Sequence, residues 1–298
     1  MTSSRIWSHA LGDIEVRRVI ESEAPFAELG FLLPGLDPAL VDANADWLKP
    51  RFVDADNKAI MSFQSFVVRT SRQVILVDAC AGNDKERPNR PNWHRQNFPY
   101  LATLAAAGVK AEEVTHVFCT HLHADHVGWN TRLVDGRWVP TFPNARYLFA
   151  REEYEFWERG HRAWIKNGGD PLNHGSFADS VLPVVEAGRA ELVAADHEID
   201  KGLYLQAGFG HTPGCCMLHA KSGRSHGIFI GDIMHTPVQL ANTALSSRFC
   251  EDAATSATVR TTLAETYAGS ETRLFPTHFP DMIGTRIARH RDGFKTVD

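Results

Sequence analysis

Four residues of types that commonly bind metal ions stand within six positions, in the stretch Cys119-Thr120-His121-Leu122-His123-Ala124-Asp125-His126. The stretch directly follows the apolar pair Val117-Phe118, which indicates a strand leading into it. A polar loop with hydrogen-bonded histidines would explain one such residue more easily than four. This density of imidazole and carboxylate groups predicts a metal site.

The spacing within the stretch indicates how two ions could share it. Side chains alternate along an extended chain, so His121 and His123 would face the same side and bind one ion. Asp125 and His126 follow where the chain should turn, and they would face the same cavity from another direction. They could therefore hold a second ion a few ångströms away.

Three further polar residues follow predicted strands later in the chain. His211 comes after Leu203–Gln206, Asp232 after Gly227–Ile230, and His278 after Arg273–Pro276. Loops at strand ends carry many of the active-site residues of layered α/β proteins. We therefore expect four strand ends to form one site.

Composition and charge exclude several other classes of protein. The formal net charge is −5 without a block of like charge, so neither nucleic acid nor a membrane surface is an expected partner. No apolar run approaches the roughly 18 residues of a membrane-spanning helix. The N-terminus also lacks the apolar segment of a signal peptide.

The cysteines indicate a reducing compartment. There are five of them, an odd number, and none forms a CxxC pair. A cytoplasmic protein with free thiols is therefore predicted. Cys80 and Cys119 follow predicted strands, and we expect them to be small buried residues and not ligands or nucleophiles.

Strands and helices mix along the chain without a break in composition, which predicts a single domain over residues 1–298. The segment of about residues 24–52 carries too many aromatic and apolar residues for a solvated linker. We expect it to pack over the core, as a wall of the substrate cleft or a subunit interface, with a short capped helix at Asp37-Pro38. Residues 83–91 are polar and contain two prolines, so an exposed loop is predicted there.

The motifs together resemble those of the metallo-β-lactamase-fold hydrolases. His121–His126 matches HxHxDH, Gly210–Gly214 matches the GHTPG turn, and Gly231-Asp232 and Thr277-His278 follow in family order. Cys215 is a departure, because many relatives have a histidine after that turn. The resemblance covers roughly Ile14 to the C-terminal region. It implies an α+β fold, the four-layer αββα sandwich, with a dinuclear site that usually holds zinc.

The resemblance also implies a role for each candidate ligand. One ion would be bound by His121, His123 and His211, the other by Asp125, His126 and His278, and Asp232 would bridge them. The implied cofactor is two divalent metal ions per chain, with Zn²⁺ expected. The all-nitrogen-and-oxygen ligand set also suits Mn, Fe or Co.

Two divalent ions about 3.5–4 Å apart would lower the pKa of a shared water and polarise the group under attack. A hydroxide would then be the nucleophile at neutral pH, and no Ser or Cys nucleophile is needed. Asp125 is the candidate catalytic residue, because it could orient that hydroxide or transfer its proton. The predicted reaction class is hydrolysis.

The HxHADH pattern and the length resemble the lactonase, ester and organophosphate hydrolase branch of the family. A lactone or ester of a small apolar or aromatic compound is the first substrate class, with acyl-homoserine lactones foremost. The tyrosine that lactonases often use for the oxyanion matches neither Tyr204 nor Tyr267. The candidate substrate contacts are Trp129, Phe142, His235 and Phe279.

Several alternatives remain open at this point. A hydrolytic dehalogenase or a phosphotriesterase would use the same fold, whereas nucleases and glyoxalase-type thioesterases usually need a basic cluster that does not occur here. A non-catalytic metal or ligand-binding protein is the alternative from another class, and it is disfavoured because all seven ligands are present. The expected partners are a small-molecule substrate and a second copy of the chain in a homodimer.

Overall fold

The computed structural model describes residues 7–298. The chain divides into two compact units. Unit 1 contains the residues up to Ser22 together with Phe63–Ala195, and unit 2 contains Glu23–Ser62 and Asp196–Asp298. The single domain predicted from the sequence stays a prediction.

The secondary structure mixes strands and helices throughout the described residues, as the sequence predicted. The strands are β1 (Trp7–Leu11), β2 (Ile14–Glu28), β3 (Lys58–Arg69), β4 (Val74–Val77), β5 (His116–Phe118), β6 (Thr131–Val134), β7 (Arg137–Pro140), β8 (Arg146–Ala150), β9 (Ala190–Val193), β10 (Glu198–Asp200), β11 (Leu203–Ala207), β12 (Cys216–Ser222), β13 (Ser225–Gly231), β14 (Arg273–Pro276), β15 (Arg286–His290) and β16 (Gly293–Val297). The α-helices are α1 (Leu29–Leu32), α2 (Pro38–Ala43), α3 (Ala45–Leu48), α4 (Tyr100–Ala106), α5 (Ala124–Val127), α6 (Arg151–Asn167), α7 (Leu182–Glu186), α8 (Val238–Ala241) and α9 (Ala253–Tyr267). Short 3-10 helices occupy Ala111–Glu113, Gly128–Asn130 and Leu172–Gly175, and Phe177–Val181 forms a π-helical turn.

A seven-stranded sheet organises unit 1, in the order β1-β2-β3-β4-β5-β8-β9. The pairs β4/β5, β5/β8 and β8/β9 are parallel, so these strands end at the same edge of the sheet. Val74–Val77 is a continuous buried apolar run, as expected for a strand covered on both faces. The stretch that contains His121–His126 leaves the sheet at this edge, after β5.

A five-stranded sheet organises unit 2, in the order β10-β11-β12-β13-β14. Its strands are antiparallel except for β13 and β14, which pair in parallel. Asp232 follows β13 and His278 follows β14, so the parallel pairing brings both residues to one edge of the sheet. His211 lies between β11 and β12.

The segment from residue 24 to residue 52 packs within unit 2, where Leu32, Leu48 and Phe52 are buried. The Asp37 side chain accepts a hydrogen bond from the backbone N–H of Ala39 and caps α2, as predicted. The backbone N–H of Arg248 donates to the carbonyl of Leu32 at 3.0 Å. The segment is therefore a structured part of unit 2 and not a solvated linker.

The prediction of an exposed loop over residues 83–91 is wrong for two of its charged residues. The side chains of Lys85 and Arg87 are 0% and 1% exposed. Arg87 makes two hydrogen bonds to the carboxylate of Asp179, and Lys85 Nζ donates to Thr131 Oγ1 at 2.7 Å. Burial lowers the pKa of Lys85 to about 7, although the charge of Asp179 opposes this shift. Partners distant in sequence thus make the burial of two cations tolerable.

None of the helices within residues 7–298 is both long and apolar enough to cross a membrane. Cys80 and Cys119 are buried, as predicted, and burial raises the pKa of both thiols. That neither is a ligand or a nucleophile stays a prediction.

Two glycines allow the loop after β4 to touch the end of α5. The N–H of Gly128 donates to the carbonyl of Cys80 at 2.7 Å. A Cβ at Gly128 would lie 1.9 Å from the carbonyl oxygen of Ala81. Gly82 has φ +80°, and a Cβ there would lie 2.7 Å from the carbonyl carbon of Gly128. No residue with a side chain fits at this crossing.

We expect Gly128→Ala to lower the free energy of unfolding by at least about 2 kcal/mol, because backbone atoms must move to make room for the methyl group. Chemical denaturation monitored by circular dichroism measures the loss. Gly30→Ala is the control, since a Cβ at Gly30 has nothing within 4 Å. Equal stability of the two variants would contradict the prediction.

Candidate metal centre

One group of candidate ligands lies in unit 1, after β5. His121 and His126 are buried, and their rings lie 4.0 Å apart. The Nε2 atom of His121 lies 3.0 Å from Nδ1 of His123. Asp125 Oδ2 lies 3.8 Å from His126 Nε2. The spacing brings these side chains together as predicted, but His121 and His123 lie beyond the end of the strand, and His123 is the N-cap of α5.

Asp78 orients the ligand group of unit 1 through His126 and Thr120, and the sequence analysis did not identify it. Its carboxylate accepts hydrogen bonds from the backbone N–H and the hydroxyl of Thr120, at 2.8 and 3.0 Å. Its second oxygen lies 3.0 Å from Nδ1 of His126. A carboxylate at Nδ1 keeps the proton there and leaves Nε2 as the donor atom for a cation. The available signal was an acidic residue directly after the buried strand β4.

Another group of candidate ligands lies in unit 2, around Asp232. Oδ2 of this buried carboxylate lies 3.3 Å from Nε2 of His211, and Oδ1 lies 3.1 Å from Nε2 of His278. His235 is a further neighbour, with Nε2 3.2 Å from Oδ2. The Nδ1–H of His278 donates to the carbonyl of Ser62 at 2.9 Å, so the tautomer again leaves Nε2 as the donor atom.

The two histidines beside Oδ2 of Asp232 have pKa values shifted in opposite directions. Burial lowers the pKa of His211, but hydrogen bonds to Asp232 and Cys250 raise it further, to about 9. Burial lowers the pKa of His235 to about 4 against the attraction of Asp232. The carboxylate of Asp232 thus stabilises a positive charge beside it at His211, whereas His235 is neutral.

The turn before His211 depends on a glycine. Gly210 has φ +124°, and a Cβ there would lie 2.3 Å from the backbone nitrogen of Ser256. The N–H of Asp252 donates to the carbonyl of Gly210 at 2.9 Å, and the N–H of Glu251 donates to the carbonyl of His211 at 2.9 Å. The backbone of the segment before α9 therefore holds the loop that carries His211.

The donor atoms within each unit are spaced as metal ligands are. Two ligand atoms bound tetrahedrally to one zinc ion lie roughly 3.3 Å apart, given bond lengths of about 2.0–2.1 Å. The pairs His121–His123 and His211–Asp232 have spacings of 3.0 and 3.3 Å. All the atoms concerned are imidazole nitrogens or carboxylate oxygens, which zinc and similar divalent ions accept. The ligand group of each unit therefore fits a divalent metal.

The aromatic residues predicted to contact substrate have packing roles within their units. Trp129 stacks on Tyr100 at 5.0 Å and donates from Nε1 to Glu21 at 2.6 Å. Phe142 is fully buried in the core of unit 1, and Phe279 packs against Phe52 in unit 2. The substrate contacts predicted for these three residues and for His235 stay predictions.

Comparison with known proteins places this chain in a family. The model of the metallo-β-lactamase superfamily matches residues 64–253, which is more than half of the chain. The chain belongs to the metallo-β-lactamase superfamily. No curated protein matches its sequence significantly.

Several solved structures share the fold of the chain. A hydrolase of the β-lactamase superfamily called AbOPH has a TM-score of 0.80 at 20% identity, over 100% of this chain and 98% of its own. The dizinc quorum-quenching lactonase AidC has a TM-score of 0.77 at 20% identity, over 98% and 96%. A probable metal-dependent hydrolase from Staphylococcus aureus has a TM-score of 0.75 at 15% identity, over 97% and 99%.

The metallo-β-lactamase fold inferred from HxHxDH and the three later motifs is confirmed. The predicted class, a metal-dependent hydrolase of this superfamily, is confirmed at the level of the family. The use of divalent metal agrees with the histidine and aspartate groups described above. At these sequence identities, the solved structures support the fold and leave the substrate open.

We expect Asp78→Asn to weaken binding of divalent metal about 10–100-fold, the usual effect of removing the group that orients a ligand. An amide beside Nδ1 of His126 would favour the tautomer that protonates Nε2. Competition with a chromophoric chelator measures the affinity. Asp84→Asn is the control, because Asp84 is exposed and, like Asp78, has a positive φ. Unchanged affinity in Asp78→Asn would contradict this role.

Proposed function

We propose that the chain hydrolyses a lactone or ester of a small apolar or aromatic compound, using two divalent metal ions. The observation that carries the proposal is the complete set of seven histidine and aspartate ligands within a metallo-β-lactamase chain. A protein that only binds a ligand would have no need to retain every donor. The proposal takes Zn²⁺ as the metal.

The proposal assigns the seven side chains to two ions. The first group comprises His121, His123, His211 and Asp232, and the second comprises Asp125, His126 and His278. Asp232 would hold both ions, and this role is supported by its two oxygens, each of which lies beside a different imidazole. Two divalent ions held by these residues would supply Lewis-acid chemistry, which lowers the pKa of a water and polarises a carbonyl group.

The residues of the chain then have distinct tasks. Asp125 accepts and passes on the proton of the attacking water, and its place in the first turn of α5 directs it alongside His126. Asp78 and the carbonyl of Ser62 hold Nδ1 of His126 and His278, so that Nε2 of each ring stays unprotonated. His235, neutral beside Asp232, is a candidate hydrogen-bond partner for the substrate.

Two buried thiols are excluded as the nucleophile of a covalent enzyme intermediate. Cys80 and Cys119 are buried, and burial raises the pKa of each well above its usual value, so neither provides a thiolate at neutral pH. The site therefore needs a nucleophile other than these cysteines. Hydrolysis by activated water meets that need.

The choice of a lactone or ester rests on the branch that the HxHADH pattern resembles and is supported by the likeness in fold to the lactonase AidC. Phosphotriester hydrolysis and hydrolytic dehalogenation of an aromatic ring would use the same ligands. A cytoplasmic location and a homodimer remain part of the proposal as expectations.

A panel of substrates tests the proposed reaction. We expect metal-loaded protein to hydrolyse acyl-homoserine lactones or aryl esters faster than phosphotriesters, β-lactams or chlorinated aromatics. A strong chelator should abolish turnover, and added Zn²⁺ should restore it. Turnover that survives complete removal of metal would contradict the proposal, and turnover of a different panel member alone would replace the substrate class.

We expect Asp125→Asn to lower kcat on the best substrate by about 10²–10⁴-fold, the usual contribution of a group that transfers a proton. Metal content measured by elemental analysis separates loss of proton transfer from loss of metal. Asp135→Asn is the matched control, because Asp135 is exposed in the β6–β7 turn. An active Asp125→Asn variant with its metal retained would remove the catalytic role.

A further inference from the structure

The backbone that leads to His123 belongs to neither a strand nor a helix. β5 ends at Phe118 and α5 begins at Ala124, so Leu122 and His123 lie between them. Leu122 is 1% exposed, and water therefore cannot satisfy its N–H and carbonyl groups. Buried backbone groups of this kind require partners from the protein itself.

Two side chains from distant parts of unit 1 supply these partners. The N–H of Leu122 donates to Oε1 of Glu153 at 2.9 Å. The carbonyl of Leu122 accepts from Nδ2 of Asn173 at 2.7 Å, and the N–H of Ala124 donates to Oδ1 of the same residue at 3.1 Å. One carboxamide therefore holds the backbone both before and after His123.

Glu153 acts on His123 by a second route. Its Oε1 also accepts a hydrogen bond from Nε1 of Trp157 at 2.6 Å. The Trp157 ring lies 5.3 Å from the ring of His123, in an edge-to-face arrangement. The same carboxylate oxygen thus fixes the backbone before His123 and the indole that packs against its imidazole.

The position of Asn173 is itself fixed. Asn173 has left-handed backbone angles, φ 50° and ψ 42°, which asparagine tolerates better than most residues. Its Nδ2 also donates to Ser176 Oγ at 2.7 Å. The carbonyl of the next residue, His174, accepts from Arg87, whose guanidinium is paired with Asp179. The buried ion pair therefore anchors the turn that presents the carboxamide.

We propose that Glu153 and Asn173 are positioning residues that hold His123 ready for the metal. The inference rests on the proposed function, in which His123 is a ligand. His123 Nδ1 lies 3.0 Å from His121 Nε2, and a tilt of the backbone between Leu122 and Ala124 would separate these two donor atoms. Ligands preset by a rigid surrounding shell bind metal more tightly than ligands that must be ordered on binding.

Paired variants test this role through metal affinity. Asn173→Gly removes the carboxamide and keeps a residue that adopts positive φ without strain. Glu153→Ala removes the acceptor of two buried N–H groups, whereas Glu153→Gln retains an acceptor oxygen. Tyr147→Phe is the matched control in unit 1, because it removes a buried hydroxyl that bonds to the backbone of Phe142 and Asn130, away from His123.

The measurements are the dissociation constant for Zn²⁺ by chelator competition, the melting temperature, and the absorption spectrum of the Co²⁺-loaded protein. We expect the dissociation constant of Asn173→Gly and Glu153→Ala to rise about 10–100-fold. Their Co²⁺ spectra should shift. Glu153→Gln and Tyr147→Phe should keep wild-type affinity and spectrum.

A purely structural role would give a different pattern. Asn173→Gly and Glu153→Ala would then have a lower melting temperature, as expected for Tyr147→Phe, but would bind Zn²⁺ with wild-type affinity and spectrum. That outcome overturns the inference and leaves the proposed function intact. Failure of the wild-type chain to bind any divalent metal overturns the proposed function and this inference together. Should Glu153→Ala not fold, the affinity and spectrum of Asn173→Gly decide the question.

Discussion

Buried imidazoles bind a metal only when each ring presents the correct nitrogen, and the structure depends on the contacts that favour this choice. A carboxylate oxygen of Asp78 lies 3.0 Å from Nδ1 of His126, and the carbonyl of Ser62 accepts a hydrogen bond from Nδ1 of His278. Both arrangements direct Nε2 away from the protein partner. The carboxylate of Asp78 is satisfied in turn by Thr120, so the support for His126 extends into the strand end that carries the motif. A ring without such a partner could rotate or change tautomer at little cost.

The same requirement explains why parts of the fold far from the motif are built as they are. Parallel pairing of β4 with β5 brings Asp78 next to Thr120, and parallel pairing of β13 with β14 brings Asp232 next to His278. Gly128 and Gly82 allow the loop after β4 and the end of α5 to come into backbone contact. Topology supplies the approximate position in each unit, and local hydrogen bonds supply the remaining precision.

The sequence predicted the features whose cause is local. HxHxDH places its donors within six residues of one another, and the strand Arg273–Pro276 was predicted with the bounds that the structure has. Features that depend on distant partners were missed or mistaken. Lys85 and Arg87 have the composition of an exposed loop. Partners distant in sequence, among them Asp179, which stands 92 residues after Arg87, stabilise the two buried cations. Trp129 stands beside the motif in sequence, yet Glu21 and Tyr100 hold it in the core.

Three buried carboxylates of unit 1 share a further property. Glu21 accepts the N–H groups of Ala81 and Gly82, Asp78 accepts that of Thr120, and Glu153 accepts that of Leu122. Each therefore ties down a loop at the edge of the sheet where the metal-binding stretch begins. Burial of a carboxylate is costly, and burial indeed raises the pKa of Glu21 to about 7 despite its hydrogen bonds. A divalent cation near such carboxylates would favour their ionised forms, and ionised carboxylates accept backbone hydrogen bonds most strongly. Metal binding and the ordering of these loops would then stabilise each other. The buried negative charges would destabilise the fold without a cation and stabilise it once a cation is bound.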